Sequence, residues 1–342
     1  MKEPFRGSVA LIAVAVMIAA MGVFVRGLGH QKLGLVQQIS WRVGVATLFG
    51  TIVWGRRQTF RKLWVLPKWE WRILALRALL VYGIHLPLLS LSFLHGKYLD
   101  VAAAYCFPFP TLFGALLYKE AIDRRKSVWM AVSLLGLVII SVGLSSWTLG
   151  HVYAFVASAA AGLAMVMRRS HEKGLSSDAA TYAMLVLGAL FVVMPAAACG
   201  QMVNLSRLPW RADAFIILAG VFNVACVYLG NYALAGRVNG FRAGSLMTLQ
   251  IPAAYTLSAA CGEVVSVAEI VGALLVLVSI WGVNQRSQDT GIRSQEIGIS
   301  GSSKLLIAGT YAAQETNGGE ALPRLRGIIR AVLSKALQPK GV

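Results

Sequence analysis

Two ionisable side chains fall deep inside long apolar segments of this sequence. Arg42 lies about eight residues into one segment, roughly 12 Å from its outer boundary at 1.5 Å per residue, and His85 lies near the middle of another. The arginine either attracts a ligand carboxylate or phosphate, or pairs with helix-end carbonyls or extends to the interface as a structural residue. The histidine is either a proton-coupling site or a hydrogen-bonded structural residue. Both alternatives stay open at this point.

Amide, thiol and aromatic side chains occupy comparable depths. Together with Arg42 and His85 we predict the following ligand-binding residues: Gln38, Trp41, Tyr82, Tyr105, Cys106, Asn223, Tyr228, Asn231 and Gln250. This mixture is typical of a cavity for organic molecules with apolar parts, although tyrosines at segment ends would be interfacial anchors. No Asp or Glu lies at the centre of an apolar segment, so neutral, zwitterionic or anionic ligands fit better than cations. Arg77, five residues from a predicted boundary, is expected to extend to the interface.

The elements that position these residues are predicted to be membrane-spanning helices. The 342 residues are 57% hydrophobic and 13% charged, against about 25% charge in an ordinary soluble domain. Apolar runs repeatedly reach the ~20 residues that cross a bilayer. The sequence therefore predicts an all-α, polytopic membrane protein with ten transmembrane helices, at residues 7–25, 34–54, 72–94, 100–118, 127–147, 150–168, 178–198, 213–235, 243–261 and 265–284.

The distribution of basic residues predicts an orientation. The net charge of +18 is carried between the apolar runs and in the C-terminal tail, which argues against nucleic-acid binding. Basic residues concentrate in alternate connecting segments, and the other connections hold only Arg26, Lys32, Lys97, Arg207 and Arg211. The positive-inside bias then places both termini in the cytoplasm. We expect the protein in the inner (plasma) membrane. The polar tail, 285–342, ends either in a basic amphipathic helix on the membrane surface or in a disordered segment.

An internal repeat links the two halves of the chain. Residues 101–120 and 242–263 each begin with small residues, contain proline, and end on a glutamate 11 or 12 residues after it. Pro108, Pro110 and Pro252 are predicted to mark helix breaks beside a polar cavity, the alternative being packing kinks. Because the copies are five helices apart, an odd number, they run in opposite directions through the membrane.

These passages resemble the EamA domain of the drug/metabolite transporter superfamily. The resemblance rests on Ser40-Trp41-Arg42, Pro108 to Glu120, Gly150 followed by Arg168-Arg169, Pro252 to Glu263, and Gly272-Ala-Leu-Leu. It implies two inverted five-helix repeats, 1–147 and 148–284, around a central substrate cavity. Trp129 stands where the second copy has Gly272, and the tail has no counterpart in the family pattern. We therefore expect a secondary transporter, an exporter of small metabolites such as amino acids, working by alternating access.

Other functions fit the sequence less well. An importer or exchanger of a larger metabolite, nucleotide-derived or resembling S-adenosylmethionine, is the alternative transporter. An intramembrane enzyme is not expected, because His171-Glu172 begins like a zinc-protease motif but Leu175 replaces its second histidine. A channel would need a ring of charges or carbonyls from several subunits. We expect no cofactor or metal, a small-molecule substrate and membrane lipids as partners, and a monomer.

Overall fold

Every regular element in the described part of the chain is a helix. The computed structural model describes residues 3–55, 57–96, 101–102, 105–118, 124–142, 148–170, 175–202, 209–235, 237–238, 240–260, 262, 266–279 and 282. The predicted tail helix and His171-Glu172 lie outside these residues. The helices are α1 (Glu3–His30), α2 (Leu35–Trp54), α3 (Arg57–Trp64), α4 (Lys68–His95), α5 (Phe109–Tyr118), α6 (Arg124–Val142), α7 (Leu149–Met167), α8 (Ser177–Ala198), α9 (Trp210–Leu234), α10 (Gly240–Met247), α11 (Gln250–Ala260) and α12 (Val267–Ser279).

Five of the described helices, α1, α4, α7, α8 and α9, are long and apolar enough to cross a membrane. The 20-residue α2 is less apolar because it carries Gln37, Gln38 and Arg42. Apolar side chains on the outside of the bundle are widely exposed, as at Ile52 (73%) and Leu116 (54%). A surface of this kind is suited to lipid, so the chain is a multi-pass membrane protein.

Two of the predicted helices are interrupted. After Tyr105 the chain turns at Cys106, and α5 starts at Phe109; similarly, a turn at Thr248 and Leu249 separates α10 from α11. Pro108 lies in the first interruption, whereas Pro110 and Pro252 lie in the first turn of the helix that follows. Proline costs no helical hydrogen bond there, because first-turn N–H groups have no partner within the helix. Single helices over 100–118 and 243–261 were therefore wrong predictions.

Helices α1 and α9 pack closely and run antiparallel to each other. Glycines allow the closest approaches: Gly7 of α1 lies against Ala233, at the end of α9, and Gly27 lies against Phe215, near its start. Between α6 and α12, a Cβ on Gly272 would lie 2.6 Å from the carbonyl oxygen of Gly136. Larger side chains at these positions would push the helices apart.

The long helix α4 contains a π-helical segment, Leu79–His85. Pro87 lies two residues beyond it and has no N–H to donate to the preceding turn. The wider π turn is a common response to such a break and is frequently found at functional sites. In this chain the segment carries two of the predicted site residues, Tyr82 and His85.

Candidate functional site

Arg42 is the most deeply buried cation among the described residues, with 1% of its surface exposed. One Nη donates to Ser90 Oγ at 3.3 Å, and the other points at the sulfur of Met21, also at 3.3 Å. Its Nε is buried without a hydrogen-bond partner. Neither of its bonds goes to a helix-end carbonyl, and the side chain does not reach the interface. A hydroxyl and a weakly accepting thioether leave this guanidinium with spare capacity for an anion.

Four more side chains lie near Arg42 or near each other. Cys226 of α9 lies near Arg42, Tyr82 and Tyr105. His85 also lies near Arg42, and its ring is 5.5 Å from that of Tyr105. We call Arg42, Tyr82, His85, Tyr105 and Cys226 the central cluster. It combines one cation with aromatic rings and two phenolic hydroxyls, a combination suited to an organic anion or zwitterion.

The π-helical segment of α4 fixes the two residues that it supplies to the central cluster. His85 Nδ1 lies 3.2 Å from the carbonyl oxygen of Ala157, so this nitrogen carries the hydrogen and donates to α7. The ring of Tyr82 packs on the backbone of α8 at Gly188, where a Cβ would lie 2.4 Å from the ring. The Tyr82 hydroxyl is buried without a hydrogen-bond partner.

The two helix interruptions touch each other. Cys106 Sγ, in the first, lies 3.9 Å from the carbonyl oxygen of Met247, next to the second. Gln250, which opens α11, is completely buried, and both its amide oxygen and its amide nitrogen have no partner. Leaving a buried amide unpaired costs about 1–3 kcal/mol per group, so Gln250 is a strong candidate to bind a ligand or ordered water.

Two other amides are partly satisfied or unassigned. Gln38 donates to the Leu33 carbonyl oxygen at 2.9 Å, closing the turn before α2, while its own amide oxygen has no partner. Asn223 is buried on α9, one turn before Cys226, and its amide nitrogen has no partner. Both add unpaired polar atoms to the interior of the bundle.

Three further predicted site residues also lie outside the central cluster. Trp41 packs in an apolar cluster with Leu28 and Ile216. Tyr228 stacks on Trp54, the last residue of α2, with ring centroids 5.2 Å apart. Asn231 is buried in a separate network around Arg77.

The prediction that Arg77 extends to the interface was wrong. Its side chain is buried, Nε donates to the Ala164 carbonyl oxygen at 2.9 Å, and Nη2 donates to Asn231 Oδ1 at 2.7 Å. Asn231 in turn donates to Thr181 Oγ1 at 3.1 Å. We call Arg77, Ala164, Thr181 and Asn231 the Arg77 cluster. It ties α4 to α7, α8 and α9.

A further buried cation lies at the same end of the bundle, beyond the last turn of α7. Arg168 donates to the Leu175 carbonyl oxygen at 2.8 Å. Burial lowers the pKa of Arg168 to about 10, while Glu70 raises it and Arg237 lowers it by smaller amounts. The guanidinium therefore stays charged at neutral pH.

A comparison with known proteins finds one family match, in the second half of the chain. Residues 148–285 match the EamA-like transporter family. This match supports an EamA-domain transporter of the drug/metabolite transporter superfamily. No curated protein matches it. One solved crystal structure is similar over 83% of this chain and 98% of its own, with a TM-score of 0.62 and 12% sequence identity. At that identity the similarity shows a shared fold alone.

The matched EamA segment supplies only part of the site. Cys226 and Gln250 lie within residues 148–285, whereas Arg42, Tyr82 and Tyr105 precede them in the chain. The central cluster is thus assembled from both halves of the sequence. Among the described residues, no group of three or more His, Cys, Asp or Glu side chains could hold a metal ion.

Sequence reasoning missed three participants: Ser90, Cys226 and the pairing of Arg77 with Asn231. Cys226 follows Asn223 by three residues on α9, and this spacing, which puts both on one helix face, is the signal that could have found it. Arg77 was misjudged because Lys68, Glu70 and Arg72 suggested a helix start at residue 72. The helix begins at Lys68, which places Arg77 more than two turns inside.

Proposed function

We propose that this protein has ten transmembrane helices in two inverted five-helix repeats and works as a secondary transporter of small organic metabolites. Paired helix contacts support the repeat. Helix α1 lies antiparallel to α9, and α4 lies antiparallel to α7, with Gly96 against Gly150 at one end and Arg77 bonded to Ala164 at the other. In a five-helix repeat the first pass (α1) corresponds to the sixth (α7), and the third pass (α4) corresponds to the eighth (α9). The pair α1–α9 is then equivalent to the pair α7–α4.

Contacts between corresponding passes support the same arrangement. Thr111 of α5 lies against Gly244 of α10, and α6 crosses α12 at Gly136 and Gly272. Where a helix contacts its own counterpart in the other repeat, the contact lies on the two-fold axis that relates the two repeats. In transporters built this way, substrates bind near the bilayer midplane at interrupted helices, which is where Cys106 and Met247 meet here.

The observation that carries the transport proposal is the set of buried polar atoms that have no hydrogen-bond partner. These atoms are Arg42 Nε and the Tyr82 hydroxyl in the central cluster, and both amide atoms of Gln250 beside the second helix interruption. Buried polar groups are normally satisfied, so these atoms are the expected contacts of a bound solute. The charge of Arg42 favours a substrate with a carboxylate, such as an amino acid, or with a phosphate. A larger nucleotide-derived metabolite is the alternative substrate.

The Arg77 cluster supplies a closed end for alternating access. Its bonds join α4 of the first repeat to three helices of the second, at the end that the charge distribution assigns to the cytoplasm. We infer that these bonds break when the cavity opens inward during export. Both termini then lie in the cytoplasm and the protein lies in the inner (plasma) membrane.

Uptake into proteoliposomes tests the function. Labelled amino acids, other metabolite carboxylates and nucleotide-derived metabolites would be offered to the wild type, Arg42→Lys and Arg42→Met. Losing a hydrogen bond from a charged donor is worth about 1.5–3 kcal/mol, so Arg42→Met should weaken carboxylate uptake roughly 10- to 100-fold.

Arg42→Lys should retain part of that uptake, because it keeps the charge but loses the planar fork. Arg26→Met is a control, because Arg26 donates to the backbone at Phe93 and Gly96. It should affect stability rather than substrate affinity. If no solute in the panel shows protein-dependent flux, the transport proposal fails; if Arg42→Met transports carboxylates normally, Arg42 is not in the site.

A further inference from the structure

A crevice of about 280 Å³ opens between α2, α4 and α8, beside the central cluster. Its walls are mainly apolar, with Ile39 from α2, Gly83 and Pro87 from α4, and Phe191 and Pro195 from α8. Ligand pockets range over roughly 300–1,000 Å³, so this crevice has room for one ring or short chain and is too small for a two-chain lipid.

Tyr82 belongs to both the crevice and the central cluster. The residue lines the crevice, and it also lies near Cys226 of the central cluster. Ile39 precedes Arg42 by three residues, so the two lie on one face of α2 a turn apart. The hydroxyl of Tyr82 is buried without a partner, although a buried hydroxyl normally finds one. An apolar space and an unsatisfied polar group therefore adjoin at this one side chain.

The crevice is open because residue 83 has no side chain. A Cβ there would meet only the flexible end of Leu79, at 2.9 Å, and any longer side chain would extend past it. Gly83 lies within the π-helical segment that also carries Tyr82 and His85. The π-helical segment thus supplies the glycine that leaves the crevice open and also positions Tyr82 and His85.

We propose that the crevice holds the apolar side group of the transported molecule while Arg42 and the Tyr82 hydroxyl bind its carboxylate. The substrate class is a carboxylate metabolite with one apolar ring or branched chain, such as an aromatic or branched amino acid. This inference rests on the proposed function and narrows it. The crevice would distinguish substrates by the size of their apolar side group, whereas the central cluster alone would bind glycine as well as phenylalanine.

Filling the crevice tests the proposal. In Gly83→Leu, binding of phenylalanine to protein in lipid nanodiscs should weaken at least tenfold, while binding of glycine should change by less than twofold. Gly44→Leu is the matched control, because a Cβ at Gly44 has no atom within 4 Å and this residue does not line the crevice. It should leave both ligands unaffected.

Photocrosslinking locates the occupant independently of transport. The photoreactive amino acid p-azidophenylalanine, whose side chain has a single ring, should label Phe191 or Val192 in the wild type, and excess phenylalanine should compete. Labelling of these residues by a photoactivatable phosphatidylcholine, with no labelling by the amino acid, would assign the crevice to lipid and overturn the inference.

The outcomes distinguish the two proposals. Equal phenylalanine binding by the wild type and Gly83→Leu, with carboxylate transport intact, would refute the crevice assignment and leave the transporter standing. Failure of every carboxylate to bind would refute both.

Discussion

Replacing Asn231 by leucine tests whether the Arg77 cluster holds the helices together. The substitution removes the acceptor that Arg77 Nη2 bonds at 2.7 Å and the donor that Thr181 accepts at 3.1 Å. Arg77 would keep only its bond to the Ala164 carbonyl oxygen, because its Nη1 already has no partner. Leucine is close to asparagine in size, so the cost should arise from hydrogen bonding rather than from a cavity.

The magnitude follows from the charges involved. A neutral side-chain hydrogen bond between membrane helices is worth about 0.6 kcal/mol on average. A bond from a charged donor is worth about 1.5–3 kcal/mol. Asn231→Leu should therefore cost about 2–3.5 kcal/mol, whereas Thr181→Val, which loses the neutral bond alone, should cost about 0.6 kcal/mol.

Reversible unfolding in mixed micelles would measure both free energies. A double-mutant cycle with Arg77→Met should recover most of the loss, because removing both partners leaves no buried charge unpaired. If Asn231→Leu proves no more costly than Thr181→Val, the Arg77–Asn231 bond does not stabilise the closed bundle. The interpretation of this cluster as an inner closure would then be wrong.

Three further substitutions give distinct outcomes. His85→Gln keeps a donor for α7 but cannot titrate, so it should flatten the pH dependence of transport; an unchanged profile rules out proton coupling at this residue. Gly188→Ala should cost about 1–3 kcal/mol in unfolding measurements and weaken substrate binding, because its methyl group would overlap the ring of Tyr82. Gly272→Ala should destabilise the α6–α12 crossing by a similar amount, whereas Gly230→Ala, with no neighbour within 4 Å of its Cβ, should not; equal melting temperatures would contradict this reasoning.

Much of the helix pattern could be predicted from the sequence, since apolar length dominates where nothing interrupts it. Helix α2 was expected at 34–54 and spans Leu35–Trp54. The predicted helix ends were wrong where charged residues continue a helix. Helix α4, for example, begins at Lys68, whereas it was expected to begin at residue 72. The short helix Arg57–Trp64 was not expected, because its length is far below that of a span. Its exposed Trp64 is typical of an interfacial anchor.

The central cluster was only partly predictable. Depth within an apolar run identified Arg42, His85 and Tyr105, since a polar group there must be buried wherever the helix faces its neighbours. The depth of a residue within an apolar run does not show which way its side chain points. Trp41 and Arg42 are adjacent, yet successive residues on a helix point about 100° apart, and only the arginine faces the central cluster.

The two buried arginine sites differ in how far the protein itself satisfies them, and this difference supports the roles proposed for them. Arg77 has strong acceptors on two neighbouring helices, so its bonds favour one arrangement of the bundle. Arg42 has a long bond to a hydroxyl and a contact with a thioether, although burial makes an unsatisfied charge expensive. A transporter that satisfied its binding groups internally would compete with its own substrate. The sparse bonding of Arg42 is therefore what a solute site requires, and the fuller bonding of Arg77 is what a closure requires.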